Sequence, residues 1–421
     1  MGNEINIGLI GLGTIGSGVV EILQTNSKLI EKRTGVKINL VGVCDKSLER
    51  AKQLKIDNIF VSDYKVLLKN KKINVIVELI GGYEPARTII MDSIKAKKNV
   101  VTANKAVLAK CGYEIFQSAQ KNKVNVLFEA AVCGCIPIIR TIEESFSSDN
   151  ITSIYGILNG TTNFILTKMN EGMSYEGALK KAQELGFAER DPSFDVEGKD
   201  AAQKIFLLAS LAFDAKFFEE AFTCGILDLT KKDMDYASEL GYSIKLLGIA
   251  KKENDCVELR VGPCMIPSSN LFSSVNNEVN AVLLCGKQTG DIFLSGKGAG
   301  KLPTATVVVT DIIELASRSR VVQRFFQKTN LKPISETISK YYLRVGLVDE
   351  PGGLASIAKV FAEEKISISG CAQKEVNHTV VPVVFITHKA TQGQIDQAVK
   401  KCNKLSCVKE KIVLIRIEDL K

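Results

Sequence analysis

The chain has 421 residues, 45% of them hydrophobic and 24% charged, with a formal net charge of +8 distributed along its length. That composition belongs to a globular chain of two or three domains with ample material for a core. It contains no basic block of the kind that tracks nucleic acid, no apolar run of membrane-spanning length, and, with Glu4 inside a short start, no secretory signal.

Eleven cysteines are scattered from Cys44 to Cys407, none in a Cys-x-x-Cys pair. An odd number in a long chain argues for reduced thiols in a cytoplasm-like compartment. Cys133 and Cys135 read as buried small residues, since no other Cys or His stands near enough to complete a zinc site. His378 and His388 are the only histidines. If the first 330 residues are an enzyme, its acid and base groups must therefore be Lys, Asp, Glu, Tyr or Cys.

In chain order, Ile5 to Ile10 is a short apolar run that ends in Gly11-Leu-Gly13-Thr14-Ile15-Gly16 and leads into a helical pattern through Val19, Val20, Ile22 and Leu23. Strand, glycine turn and helix in that order are the context of a dinucleotide fingerprint. The glycines permit the turn and the approach of a pyrophosphate, and the helix N-terminus attracts the anion. A second strand, Ile38 to Cys44, ends in Asp45, whose carboxylate suits ribose hydroxyls and repels a 2′-phosphate; a turn aspartate is the plainer alternative. No arginine immediately follows, so the expectation leans to NAD, with Lys46 keeping NADP open.

Strands at Val75 to Ile80, Asn99 to Thr102 and Val124 to Phe128 alternate with helices from Pro85 to Lys97 and after Cys111, giving a doubly wound parallel sheet. Lys105 and Glu129 fall at strand carboxyl ends, where such sheets bind ligands. A lone charged residue there is more often a solvated loop residue.

From Ile151 the pattern turns mixed. It reads as a strand to Leu158, an Asn159–Asn163 turn into a helix, a helix from Tyr175 to Leu185, a helix-like Glu239 to Ala250, and strands at Val257 to Val261 and Glu278 to Leu284. Between them lies an acidic loop, with Gly186 as a helix C′ residue and Asp195 as the N-cap of a helix running to Phe213. On that helix Asp200 and Lys204 share a face with Leu207, Leu208 and Leu211, while Lys199, Gln203 and Ser210 occupy the other. A charged pair on an apolar stripe is either a lysine snorkelling at the edge or an active-site pair.

Gly298-Ala-Gly300 opens a long helix from Ala305 to Ser319 that is expected to pack back on the nucleotide domain. After a linker at Gln327 to Ser339, strands and helices alternate as βαββαβ from Tyr341 to Ile417, a ferredoxin-like unit with a core of its own.

These residues resemble homoserine dehydrogenases. The family's long signature matches Ala182, Gly186-Phe187-Ala188, Asp191-Pro192, Asp195-Val196, Gly198, Asp200 and Lys204. The fingerprint glycines, Thr102-Ala-Asn104-Lys105, Phe128-Glu129-Ala, Gly156 to Asn163 and Gly298-Ala-Gly300 match as well. The tail from Tyr342 is similar to an ACT domain, with the Asp349-Glu-Pro351-Gly352-Gly353-Leu354 turn typical of amino-acid sensing.

The resemblance implies an α/β chain of three parts: a Rossmann domain over residues 1–136 completed by helix 303–325, an α+β substrate and dimerisation domain over 137–302, and an ACT domain over 341–421. It implies a reversible NAD(P)-linked interconversion of L-homoserine and L-aspartate 4-semialdehyde in threonine, methionine and isoleucine biosynthesis, in a cytoplasmic homodimer or homotetramer with no nucleic-acid or membrane partner. By position, Lys204 is the proton donor, and Glu189, Asp195 and Asp200 hold the substrate beside it. Lys105 lies near the nicotinamide and the reacting carbon. Cofactor contacts fall at Gly11, Gly13, Thr14, Ile15, Gly16, Asp45, Lys105, Gly186 and Gly300. A structural Na+ or K+ would take Glu129 and the carbonyls of Val132, Gly134 and Ile136. The ACT domain implies an amino-acid effector, threonine first.

Cys44 stands where many members carry an arginine for the 2′-phosphate, and Arg190 and Phe194 stand where small residues are common. With no aspartokinase segment before Met1, a monofunctional enzyme is expected. A cofactor-sensing regulator without turnover, and another dehydrogenase of small amino acids, are the rival readings.

Overall fold

The computed structural model describes residues 3–217, 220–318, 320–373 and 379–420, so His378 and Ser319 lie outside it. The chain divides into two compact units. The first holds residues 1–152, 203–217 and 282–328, the second residues 153–202, 218–281 and 329–421.

In the first unit six strands form one parallel sheet. They are β1 (Asn3–Ile10), β2 (Val36–Cys44), β3 (Phe60–Val61), β4 (Val75–Glu78), β5 (Asn99–Thr102) and β6 (Val126–Leu127), in the order β3-β2-β1-β4-β5-β6. All five pairings between neighbours in that order are parallel. A parallel sheet must be covered on both faces, and the period-two alternation of β1 serves both. Ile5, Ile7 and Leu9 enter one buried cluster with Val75, Val77 and Val101, while Ile10 joins Ile76, Leu67 and Ile89 in another.

The helix Thr14–Thr34 packs Val19 and Val20 on the first cluster, and so does the much later helix Lys301–Ser317, through Ala305, Val308, Val309 and Ile312. Gly18 is where these two helices meet. A Cβ there would lie 2.9 Å from Ala305 Cβ and 3.1 Å from Lys301 O, so any side chain would wedge them apart. The expected return of the long helix is thus found, although it starts at Lys301 and ends at Ser317, short of residue 325.

One early boundary differs. The helix expected after Cys111 begins at Lys105, because Asn104 caps it by accepting the Val107 N–H at 3.2 Å.

In the second unit, Ile151–Ile157 pairs antiparallel with Tyr242–Glu253, which forms a long hairpin with Cys256–Pro267. The helix expected at residues 239–250 is therefore a strand. The true helix, Lys231–Glu239, stops at Leu240 before Gly241 (φ 79°). Residues 244–250 are buried on both faces, and a continuous apolar run cannot be told from a buried helix by period alone. The Asn254-Asp255 turn, with Asn254 at φ 46°, was the overlooked hairpin signal.

The tail forms the expected βαββαβ unit. Its strands run Val413–Ile417, Ile338–Val348, Val380–Thr387 and Ile368–Gln373 across the sheet. The helices Gly353–Glu363 and Gln392–Cys402 share one buried cluster with them. This sheet does not end at the module's edge. Val413–Ile417 also pairs in parallel with Cys256–Pro267, Cys264 opposite Arg416.

Two buried ion clusters reinforce that joint. Arg260, 1% exposed, donates to Glu258 at 2.7 Å and to Glu418, and Glu418 also receives Lys251 at 3.2 Å and Ser339 Oγ at 3.1 Å. Arg344 on the Ile338–Val348 strand donates from Nε to Asp233 Oδ1 at 2.7 Å and from Nη2 to Asp233 Oδ2 at 3.1 Å. Asp233 is fully buried and closes the capping box with Thr230. Such pairs are worth little against apolar isosteres but are costly to break singly. Arg344→Met is expected to destabilise the protein by about 3–5 kcal/mol, read as a fall in Tm. Adding Asp233→Asn, which keeps a capping acceptor but removes the stranded charge, should recover a large part of it.

Candidate active site

In the first unit the glycine turn is built by contacts that exclude side chains. Gly11, at φ 99°, donates its N–H to Cys44 O at 2.8 Å. A Cβ on Gly16 would fall 1.9 Å from Gly11 O, whereas one on Gly13 would meet no atom within 4 Å. So Gly11 and Gly16 close the turn, and Gly13 leaves open room at the head of the helix that starts with Thr14 and Ile15. The aligned N–H groups of that 21-residue helix make the opening a fitting seat for a pyrophosphate.

Asp45 sits at the tip of β2. Its Oδ2 accepts the Leu12 N–H at 2.6 Å and its Oδ1 the Ser47 N–H at 2.9 Å, so it buttresses the glycine turn. Arg50 Nη1 lies 3.6 Å from Asp45 Oδ1. No arginine immediately follows the strand, yet one helical turn brings this one back beside it.

The ends of β4 and β5 are locked by a residue that sequence reading passed over. Glu78, fully buried, accepts the Ile80 N–H at 2.8 Å and the Thr102 hydroxyl at 2.7 Å, and burial pushes its carboxyl up. Thr102 Oγ1 accepts the Asn104 N–H at 3.0 Å, and Asn104 Nδ2 donates to Gly82 O at 2.7 Å. This chain fixes the residue immediately before Lys105, which is half-buried as the first residue of its helix. Gly300, at φ 125°, opens the helix that lies against Gly18, so it stands on the fingerprint side of the unit.

Glu129 is buried and accepts the N–H groups of Ile139 at 2.7 Å and Arg140 at 2.9 Å; burial pushes its carboxyl up to about 7. Asp311, also buried, is pushed up as well and receives Arg140 at 2.8 Å. Gly134 packs so closely on the second glycine turn that a Cβ would sit 2.5 Å from Gly298 C and O. Among the described residues no group of three or more His, Cys, Asp and Glu side chains could hold a metal ion. The described cysteines are thiols outside any disulfide, and no described helix is long and apolar enough to cross a membrane.

In the second unit the acidic loop carries the substrate candidates. Gly186 takes the expected left-handed conformation at φ 75°. Glu189 is exposed, its carbonyl receiving Gln183 Nε2 at 3.1 Å. Asp195 is not the N-cap of the long helix. It lies inside a single turn, Ser193–Val196, and the long helix starts only at Lys199, after Gly198 at φ 82°. What Asp195 does accept is a hydrogen bond from Asn159 Nδ2 at 2.7 Å, and the same nitrogen donates to Asp200 at 2.8 Å.

Along Lys199–Ala212, Asp200 is 4% exposed, Leu207 and Leu208 are buried, Lys204 and Leu211 are half-buried and Lys199 is exposed, but Gln203 and Ser210, expected on the polar face, are half-buried as well. The unit boundary falls inside this helix. Glu189, Asp195 and Asp200 belong to the second unit, and Lys204, Lys105 and the glycine turn to the first.

The strand order, the glycine turn at a helix head and the acid at the tip of β2 define a dinucleotide-binding oxidoreductase of the Rossmann class. Residues 137–313 match the homoserine dehydrogenase family, residues 11–129 match the homoserine dehydrogenase NAD binding domain, and residues 341–407 match the ACT domain. The homoserine dehydrogenase of Neisseria gonorrhoeae is 43% identical over 99% of both chains, and that of Helicobacter pylori 40% identical over 100% of both. The chain belongs to the homoserine dehydrogenase family, and it is an NAD(P)-dependent oxidoreductase acting on a CH–OH group.

Among solved structures, the homoserine dehydrogenase of Thiobacillus denitrificans superposes with a TM-score of 0.93 at 40% identity, covering 99% of this chain and 98% of that one. A hyperthermophilic archaeal homoserine dehydrogenase mutant in complex with NADPH superposes at 0.64 with 26% identity, over 75% of this chain and 98% of that one.

Proposed function

We propose that the chain interconverts L-homoserine and L-aspartate 4-semialdehyde in the biosynthesis of threonine, methionine and isoleucine, with residues 1–136 seating the cofactor, 137–302 the substrate and 341–421 an effector. The observation that carries the reading is the placement of Asp200 and Lys204 one turn apart on a largely buried helical stripe. Asp200 is buried and already hydrogen-bonded, while Lys204 is half-exposed.

A nicotinamide cofactor, when bound, would exchange the hydride with C4 of the substrate. The Lys204 ammonium offsets the negative charge that builds on the substrate oxygen and delivers the proton to it. Glu189, Asp195 and Asp200 orient the substrate, and Lys105, set by the Glu78–Thr102–Asn104 chain, lies by the reacting carbon. A sodium or potassium ion at Glu129 and the carbonyls of Val132, Gly134 and Ile136 is a structural part of the same proposal. Each Glu129 oxygen keeps one lone pair after accepting its main-chain N–H, so the carboxyl retains capacity for such an ion. Cysteines outside any disulfide accord with a reducing cytoplasm, and the family with a dimer or tetramer.

Lys204→Ala is expected to lower kcat by about 10²–10⁴-fold while leaving NADH affinity within twofold, measured by the absorbance of NADH with homoserine as substrate. A variant retaining wild-type turnover would end the assignment.

Both NAD and NADP fit the tip of β2. Asp45 suits ribose hydroxyls, and Arg50 with Lys46 offers charge to a 2′-phosphate. Side-by-side rates should show Arg50→Ala raising KM for NADPH roughly tenfold and that for NADH much less. Equal effects on both would remove Arg50 from cofactor choice.

The Asp349–Gly353 turn, with Leu347, Leu354, Gln373 and Val381, lines a depression of about 360 Å³ suited to an amino acid. Threonine is the effector proposed. Deleting residues 341–421 is a poor test, since it would strip Cys256–Pro267 of a partner strand and leave Arg260 without Glu418. A point change is cleaner. Asp349→Ala should raise the threonine concentration for half-inhibition about tenfold or more with the uninhibited rate little changed; unaltered inhibition would place the effector elsewhere.

A further inference from the structure

We propose that Arg416 and Tyr341 bind a small monovalent anion of halide size, buried in the seam where the last strand of the chain joins the long hairpin of the second unit.

The strand register gathers the side chains of that seam on one face. Arg416 stands opposite Cys264 in the parallel pairing and opposite Tyr341 in the antiparallel one, and residues paired across a sheet point to the same side. The Arg416 guanidinium carbon lies 5.7 Å from the centre of the Tyr341 ring. Arg416 is 7% exposed and Tyr341 0%.

Both side chains end in an atom that the rest of the protein does not satisfy. Arg416 Nη1 donates to Thr337 Oγ1 at 2.9 Å, and that hydroxyl gives its own hydrogen to Ile334 O at 2.7 Å. Arg416 Nη2 and the Tyr341 hydroxyl, both buried, have no hydrogen-bond partner among the described residues. Buried polar atoms are nearly always partnered, so a bound ion or a water is called for.

Charge decides between the two. A guanidinium keeps its proton inside a protein, while burial and the positive charge of nearby Arg260 both act against the charged form of Arg416. Glu258 and Arg260, at even steps from Cys264 along one strand, share its face, but the carboxylates there are already engaged. Glu258 accepts from Arg260 at 2.7 Å, and Glu418 accepts from Arg260, Lys251 and Ser339. Asp396, on the helix Gln392–Cys402, accepts from Gln392 Nε2 at 2.7 Å and its charge reaches Tyr341, yet among the described residues no carboxylate forms an ion pair with Arg416. Tyr341 itself cannot serve, because burial pushes its hydroxyl up to about 12. A water would answer the two donors and leave the charge uncompensated. An anion answers both, and the neighbouring Glu258 and Glu418 restrict it to a single charge. Thr337 precedes the first strand of the ACT module and Arg416 lies in its last, so the site pins both ends of the module at one place.

The test uses the full chain at constant sodium, which keeps the proposed cation site at Glu129 equally supplied throughout. Exchanging sodium gluconate for sodium chloride at about 0.2 M should raise Tm by about 2 °C or more. Tyr341→Phe should raise by about tenfold the chloride concentration that gives half of this shift, lowering Tm in chloride but not in gluconate. If no anion binds, the same change merely removes an unsatisfied hydroxyl and raises Tm alike in both salts, which would overturn the proposal. Arg416→Met should abolish the chloride dependence, and a folded variant that keeps it would be equally fatal. Crystals grown in sodium bromide should show an anomalous peak in contact with Arg416 Nη2 and Tyr341 Oη; a wild-type map without one rules the site out.

Discussion

In the second unit one buried amide holds two carboxylates, Asn159 Nδ2 donating to Asp195 at 2.7 Å and to Asp200 at 2.8 Å. Because the Asn159 amide is also a helix cap, the acidic pair inherits the rigidity of the helix Gly160–Asn170 and of the carbonyl cluster that Asn163 and Lys245 gather around Val275. The same logic recurs in the first unit. There Glu78 cross-links the ends of two parallel strands through Thr102 and Ile80, and the residue next in line caps the helix that presents Lys105. In both places a buried, hydrogen-bonded polar side chain sets the direction of a neighbouring charged group.

The ACT module is joined to the rest of its unit by the same means. A strand pairing alone would leave a hinge. Parallel pairing of Cys264 with Arg416, together with Arg260 clasping Glu418 and Arg344 clasping Asp233, makes relative slippage of the strands expensive, because any slip strands a buried charge. The sheet that carries this module also holds the Tyr242–Glu253 and Ile151–Ile157 strands, and the latter runs directly into Asn159.

Most of the first unit was legible because its signals are local. A strand, a glycine turn and a helix lie within thirty residues of each other, and Asp45 follows the next strand. The stripe of Asp200, Lys204 and Leu207 needed only helical periodicity. The failures are of two kinds. Residues 239–250 were misread because a strand buried on both faces has no alternation to show, and Asp195 was taken for a cap because a short turn and Gly198 intervene before the helix proper. Asn159, Glu78 and the Arg344–Asp233 pair were missed for another reason. Their partners are set by the fold, 36 and 41 residues away for Asn159 and 111 for Arg344, so a linear reading sees an ordinary turn asparagine or a surface arginine.

The pairing of Cys256–Pro267 with Val413–Ile417 also orders events in time. During synthesis the first of these strands emerges some 150 residues before the second, an interval of roughly ten to thirty seconds at bacterial or eukaryotic elongation rates. Throughout it the nascent sheet presents a bare length of backbone near Cys264, and the Arg260 guanidinium waits for a carboxylate not yet made. Such an edge invites pairing with neighbouring chains until the closing strand covers it.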